Sequence, residues 1–320
     1  MIETLQENQE LLDSEIQDLW NLKWEIEISH IQEDLKEEKK ENPYKETIEN
    51  QKSPITHWNK ENPKISITFD DWYWTENINH ILETLEWSWI KATFFILWDC
   101  LRNTPDLRNR AVEQWHQICC HTFSHIYLSS EEYTDLWDKA KWIKAWPWKL
   151  NKTDLDKWTN NVKNLLWENY LNTIKSESWE WFPRKVKTDL LLKTEILMRE
   201  EQIKKTLWEE YLQNFKTQYP FFRFPGWCWS TNSNNIKILK ELWYLSIGWN
   251  EDFFRWTGKN RRHITKQEIK NMNINNWDIP LFHFKKNYKS GSSEREYIDA
   301  YIESMQNKNK TSHEISEIIK

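Results

Sequence analysis

The sequence predicts an α/β fold, a parallel sheet or barrel with helices on its outside. Two observations carry that expectation. From residue 64 onward, short β-branched and aromatic runs alternate with segments of helical apolar spacing, the pattern of parallel strands joined by helices. Asp70, Asp71 and His121 each stand where a strand pattern stops, and such folds collect their chemistry at strand C-termini.

In order along the chain, Leu5, Leu12, Ile16, Leu19 and Ile26 recur at near-heptad spacing on a charged background. Residues 1–41 therefore read as an acidic helical stalk or short coiled coil, a surface for self-association. A linker is expected over 42–54. "KISITF" (64–69) alternates as a strand, "NINHILETLE" (77–86) is helical, and "KATFFIL" (91–97) is a buried strand. "TPDLRNRAVEQ" (104–114) is helical again and "HQICCH" (116–121) is a short strand. Residues 126–218 turn mostly helical and charged, an insertion whose clearest amphipathic stretch is 188–207. Then come the strand "PFFRF", a helix in "NSNNIKILKEL", the strand "YLSIGW", a basic loop "GKNRRH", the helix "TKQEIKNM" and a last strand "DIPLFHF". Residues 291–320 read as a helix and polar tail.

Charge is local. Residues 1–50 hold 15 acidic and 5 basic side chains, whereas the other 270 hold 35 and 39. That balance is far from the charge pattern of a nucleic-acid binder. No apolar run is long enough for a membrane span, and the N-terminus lacks a basic plus apolar signal pattern. Cys100, Cys119, Cys120 and Cys228 lack paired zinc spacing. A bond between the adjacent Cys119 and Cys120 is sterically disfavoured, while a link from either to Cys228 stays open.

Glycine and tryptophan look exchanged. A chain of this length should carry roughly 22 glycines, yet it has Gly 4 and Trp 24. The tryptophans stand where glycine belongs. Trp87, Trp89 and Trp115 follow helix patterns, Trp98 ends a strand, Trp72 and Trp74 follow "TFDD", Trp227 and Trp229 flank Cys228, and Trp58 and Trp277 precede strands. A side chain held in the left-handed conformation costs about 1–2 kcal/mol. The reading is that UGA encodes glycine in this gene, so that most of these tryptophans are glycine in the living protein. The alternative is a truly Trp-rich surface that stacks on sugars, but such platforms do not place Trp at helix ends. Trp249 in "IGWNED" is the candidate for a genuine tryptophan.

The chemistry-bearing residues converge in type. His121 and His125 in "HTFSH" lie four apart and could face one metal, although such a pair is also common by chance. A carboxylate from "FDD" would complete a site of two histidines and one acid with an open position for water. Adjacent strand-end carboxylates cannot point the same way, so one would ligate while the other serves as base. Arg223 in "RFPG" could hold a buried carboxylate ionised or could be a surface Arg before a turn. His283 in "LFH" could be a structural histidine or a general acid.

With glycine for tryptophan, the motifs T-F-D-D, H-T-F-S-H, R-F-P and L-F-H occur in order across roughly residues 55–290. This resembles the polysaccharide deacetylase family, the nodulation-deacetylase homology domain of family 4 carbohydrate esterases. The resemblance implies a distorted (β/α) barrel, to which this sequence adds a helical insertion, since the segment between His125 and Arg223 is longer than the family leads one to expect, and an N-terminal acidic helix. It implies a metal-dependent deacetylase of N-acetylated polysaccharide, peptidoglycan or chitin-like, using a divalent metal such as zinc. By motif position Asp70 is the base, Asp71, His121 and His125 the metal ligands, Arg223 the residue orienting the base, and His283 the acid. A backbone N–H near Gly226 would help to stabilise the oxyanion. The family also implies a cell-envelope or extracellular location and a glycan partner. Two departures stand out: Gly226 replaces the aromatic residue often found after R-x-P, and the tryptophan and acid motif survives only as "WNED". The alternatives are a glycan-binding protein without turnover on the same fold, or a hydrolase of small amides.

Overall fold

The computed structural model describes residues 42–56, 64–71, 75–97, 104–129, 131–136, 152–178, 182–207, 209–226, 233–257, 260–283 and 294–319. The predicted N-terminal stalk, and Trp58, Trp72, Trp74, Trp98, Trp227, Trp229, Cys100 and Cys228, lie outside them. Tyr44 opens the compact unit that contains every element below.

Seven parallel strands form the main sheet. They are β1 (Ile67–Asp71), β2 (Ala92–Ile96), β3 (Gln117–Cys120), β6 (Phe221–Phe222), β7 (Leu245–Ser246), β8 (Glu251–Asp252) and β11 (Pro280–His283). Their spatial order is β7-β6-β3-β2-β1-β11-β8. The two edge strands, β7 and β8, are neighbours in sequence. Six inter-strand gaps of about 4.8 Å would set the edges of a flat sheet roughly 29 Å apart, but the few residues between them span at most about 18 Å. The sheet must therefore curl into a distorted barrel, as the sequence predicts.

Two apolar layers follow from the strand period of two. Phe69, Phe94 and Phe282 face outward and stack, with rings 5.1 Å and 5.6 Å from Phe69. They pack among buried residues of the helices α2 (Thr75–Trp87), α3 (Pro105–Glu113) and α9 (Glu294–Asn307). Phe95, Cys119, Phe221 and Leu245 form the second, separate buried cluster, inside the curl.

That inner cluster is plugged by segments whose sequence gave other expectations. The expected linker carries helix α1 (Lys45–Asn50), and Tyr44 and Ile48 are buried against Phe221 and its neighbours. The expected polar tail carries helix α10 (Ile315–Ile318), which buries Ile315, Ile318 and Ile319 in the same cluster. Its backbone is tied to the strands, since Ile315 N–H donates to Thr93 Oγ1 and Ser316 N–H to Gln117 Oε1. The predicted basic loop is half of a hairpin, because β9 (Phe254–Thr257) pairs antiparallel with β10 (Asn260–His263). Helix α8 (Lys266–Lys270) starts on a capping box made by Thr265 and Glu268.

Between β3 and β6 run α4 (Lys152–Glu177), α5 (Thr188–Leu207) and α6 (Glu209–Gln218), with the small antiparallel pair β4 (Tyr133–Asp135) and β5 (Lys185–Lys187). These helices are no detached lobe. Leu155, Val162, Leu191, Leu192 and Ile196 belong to the same outer cluster as β1 and β2. Helix α7 (Ser233–Glu241) completes the layer.

Four tryptophans occupy backbone that glycine normally occupies. Trp89, Trp115 and Trp243 have φ of 55°, 61° and 62°, and each is the left-handed residue of the same helix stop. Trp89 N–H donates to Glu86 O and Ile90 N–H to Leu85 O; the matching pairs are Trp115 to Val112 with His116 to Ala111, and Trp243 to Lys240 with Tyr244 to Leu239. This is the Schellman arrangement, whose left-handed position prefers Gly and then Asn. At the fourth such stop, after α9, the residue is Asn309. Trp167, at φ 64° and ψ 162° inside α4, sits in a region that is essentially reserved for glycine.

Candidate active site

Six predicted residues meet at the C-terminal mouth of the curled sheet. Asp70 and Asp71 end β1, His121 follows β3, Arg223 follows β6 and His283 ends β11. Asp70 is in register with His283 on the neighbouring strand. His125 is brought back by the tight loop 122–125, where its N–H donates to Thr122 Oγ1.

Asp70 continues the inward parity of Thr68 and meets Arg223. This guanidinium is wholly buried and stacks 4.0 Å over the Phe95 ring. Its Nη1 donates to Asp70 Oδ1 at 2.9 Å and Thr68 Oγ1 at 2.7 Å, Nη2 to Gly248 O and Nε to Ile247 O. Each nitrogen has an acceptor, so the cation is fixed as a planar fork and Asp70 inherits its orientation. The surface reading of Arg223 is thereby excluded.

Asp71 does not follow strand alternation, because its φ is 84°. A left-handed aspartate at a strand end is strained backbone, a feature that clusters at functional sites. The twist lets both carboxylates approach one imidazole: His121 Nε2 lies 3.8 Å from Asp70 Oδ2 and 3.6 Å from Asp71 Oδ1. His125 Nε2 lies 3.1 Å from the same Asp71 oxygen. Both carboxylates thus approach one imidazole, against the expectation that adjacent strand-end carboxylates cannot point the same way.

Charge is redistributed accordingly. Burial alone would raise the Asp71 carboxyl, but His125, His121 and His283 outweigh it and hold the group well below the usual carboxylate range. Burial alone would lower His121, but Asp70 and Asp71 outweigh that and raise it. Carboxylates that favour a proton on Nε2 favour a metal cation there too.

The residues fit a metal on three counts. The ligand atoms of Asp71, His121 and His125 all lie within 4.8 Å of one another. Ligands on a tetrahedral zinc with bonds of about 2.0–2.1 Å would stand roughly 3.3 Å apart, close to the 3.1 Å and 3.6 Å measured from Asp71 Oδ1. That oxygen is buried and has no properly oriented hydrogen-bond donor among the described residues. In addition, His121 Nδ1 is 2.9 Å from the Arg223 carbonyl. A carbonyl only accepts, so Nδ1 carries the proton and Nε2 keeps its lone pair for a metal.

Sequence reasoning missed Thr68, the carbonyls of Ile247 and Gly248, and Glu195, which binds the loop of the two histidines. None carries a spacing signal. Cys119 and Cys120 are buried free thiols of the sheet and take no part.

The curled parallel sheet thus brings two histidines and an aspartate to one point, beside a second aspartate held by arginine. Residues 57–146 match the family model for polysaccharide deacetylase. The peptidoglycan-N-acetylglucosamine deacetylase PgdA of Listeria monocytogenes is 31% identical over 80 residues, which are 25% of this chain and 17% of that relative. The match thus spans about a sixth of the relative's length. Among solved structures, Bacillus subtilis PdaA, a family 4 carbohydrate esterase, aligns with TM-score 0.47 and 17% identity, covering 86% of this chain and 88% of that one. A family 4 carbohydrate esterase from Bacillus anthracis aligns with TM-score 0.47 and 17% identity over 85% and 90%. A family 4 pseudoenzyme from Bacillus anthracis aligns with TM-score 0.47 and 14% identity over 84% and 70%.

Proposed function

We propose that this chain is a metal-dependent deacetylase that hydrolyses acetamido groups of an N-acetylated cell-wall or chitin-like glycan. The observation that carries the reading is the division between the two aspartates: Asp71 joins two histidines, while Asp70 is clamped by Arg223. Asp71, His121 and His125 would hold a divalent cation, with zinc the natural candidate for this donor set. Such a cation supplies Lewis-acid polarisation of the acyl oxygen and makes water a stronger nucleophile. Asp70 takes the proton of the attacking water, and Arg223 keeps that carboxylate aimed. His283, one strand away, gives a proton to the departing amine nitrogen, so that amide and water become acetate and amine. Gly226, at φ 74°, turns the chain beside Arg223 and leaves room for a backbone N–H to face the oxyanion.

We further propose that the tryptophans in left-handed backbone are glycine in the living protein. Four independent sites (Trp89, Trp115, Trp167 and Trp243) require glycine-like backbone, and the indoles of the first three are largely exposed, Trp89 by 89%. The same substitution at Trp72, Trp74 and Trp227 would clear indoles from the sequence neighbours of Asp71 and Gly226. A cell-envelope or extracellular site of action follows from the proposed substrate. Among the described residues no helix is long and apolar enough to cross a membrane.

Two measurements test these readings. A peptide mass spectrum of the native protein over residues 65–91 should give glycine masses at 72, 74, 87 and 89; tryptophan masses would refute the recoding. The native protein should release acetate from N-acetylglucosamine oligomers and stop when a chelator is added. Oligosaccharide binding without release would make it a glycan-binding protein, and release only from small amides would move the substrate class.

A further inference from the structure

Glu195, on α5, has no role in the chemistry above, yet it is buried to 1% exposure beside the site. Its Oε2 accepts from the N–H groups of Phe123 at 3.2 Å and Ser124 at 2.8 Å. Its Oε1 accepts from Ser124 Oγ at 2.8 Å and Trp158 Nε1 at 2.9 Å. A carboxylate offers about four acceptor positions, and all are occupied. Glu195 therefore has no lone pair left for a metal.

What it binds is the loop between the two candidate histidine ligands. That loop is strained at both ends, with φ of 69° at Thr122 and 59° at His125. Left-handed backbone is unfavourable for side-chain-bearing residues, so two such residues within four need an external hold. Successive N–H groups directed to one side form an anion-binding nest, and here the anion is a side chain delivered by the helices between β3 and β6. We infer that Glu195 is the positioning residue of the metal centre: by fixing Phe123 and Ser124 it keeps His125 Nε2 on the Asp71 oxygen. The inference rests on the metal site proposed above. It gives those helices a function beyond packing, because the order of the centre depends on where α5 sits.

The test uses the full chain, with Co²⁺ as probe. Affinity is read by competition with a chromophoric chelator, and ligand geometry by the visible d–d spectrum. Glu195→Gln puts an NH₂ group where only acceptors fit. It should weaken Co²⁺ binding about 10–100-fold, the usual effect of an outer-shell partner, and alter the spectrum. Thr194→Val, on the same helix but hydrogen-bonded to Leu190 O, should leave both at the parental values. A Glu195→Gln protein that melts earlier but binds Co²⁺ with parental affinity and spectrum overturns the inference. If that variant does not fold, Ser124→Ala removes one donor and should weaken binding to a lesser degree; parental affinity there overturns it equally. Failure of the parent to bind Co²⁺ would instead remove the proposed metal centre, and this inference with it.

Discussion

Strand β3 carries a buried histidine at each end, His116 before it and His121 after it. Their surroundings are opposite. Burial, with Lys91 and Arg110 nearby, pushes the His116 imidazole down to about 3; its Nδ1 accepts the Ala92 N–H at 3.3 Å and its ring meets Phe94 edge-on. His121 faces two carboxylates that raise it in spite of burial. Burial alone thus does not fix a histidine's charge: two carboxylates at the strand C-terminus raise His121, whereas Lys91 and Arg110 add to burial in lowering His116.

The sharpest way to break this contrast is to substitute the two ends in turn. Asp70→Asn should lower acetate release by at least about 100-fold, the lower range for loss of a general base, with Co²⁺ affinity retained. His121→Ala should abolish metal binding, whereas His116→Ala should leave metal binding intact and lower the melting temperature. Next in size is Arg223→Met, which strands the Asp70 carboxylate without its cation. Breaking a buried pair in this way costs about 3–5 kcal/mol, to be read from urea unfolding midpoints; a midpoint unchanged from the parent would mean that Asp70 is not held by this bond.

The pH dependence sharpens the same comparison. An unfolded chain protonates His116 near its ordinary value of 6.5, whereas the folded chain resists until about 3. Between those values the unfolded state binds the extra proton, so this contribution is intact above pH 6.5 and is lost as pH falls toward 3. The slope is up to about 1.4 kcal/mol per pH unit. His116→Gln keeps an acceptor for Ala92 but cannot titrate, and should flatten the change in unfolding midpoint between pH 7 and pH 5. The smallest expected effect is that of Trp89→Gly or Trp115→Gly in a chain made with tryptophan. Each relieves left-handed strain of about 1–2 kcal/mol and should raise the melting temperature without changing metal affinity.

The six residues that meet at the mouth could be picked out in the sequence because Asp70, Asp71, His121, Arg223 and His283 stand at or next to strand ends and His125 lies four positions after His121. Parallel order was legible from alternation of strands and helices. Glu195 was not, since it is one of several acids in "KTEILMREE" and the loop groups it binds are 71 and 72 positions away. The plug over the inner cluster was hidden for a similar reason. Ile315, Ile318 and Ile319 sit in a short, charge-flanked stretch, and only the curl of the sheet creates the hole they fill. Nor could sequence alternation foresee Asp71, whose backbone departs from the strand that delivers it.

The closing segment from β7 to β8 sets a timetable. Each edge of the sheet waits for these residues, and β8 pairs with β11, whose last residue is His283. During synthesis, therefore, Asp70 and Asp71 leave the ribosome more than two hundred residues before the proposed acid that completes their site. Until then the emerging chain exposes an open sheet edge and an unplugged interior, the combination most prone to pairing with a neighbouring chain. A barrel whose edge strands are joined by one short stretch, and whose β11 arrives later still, is most in need of protection as a nascent chain.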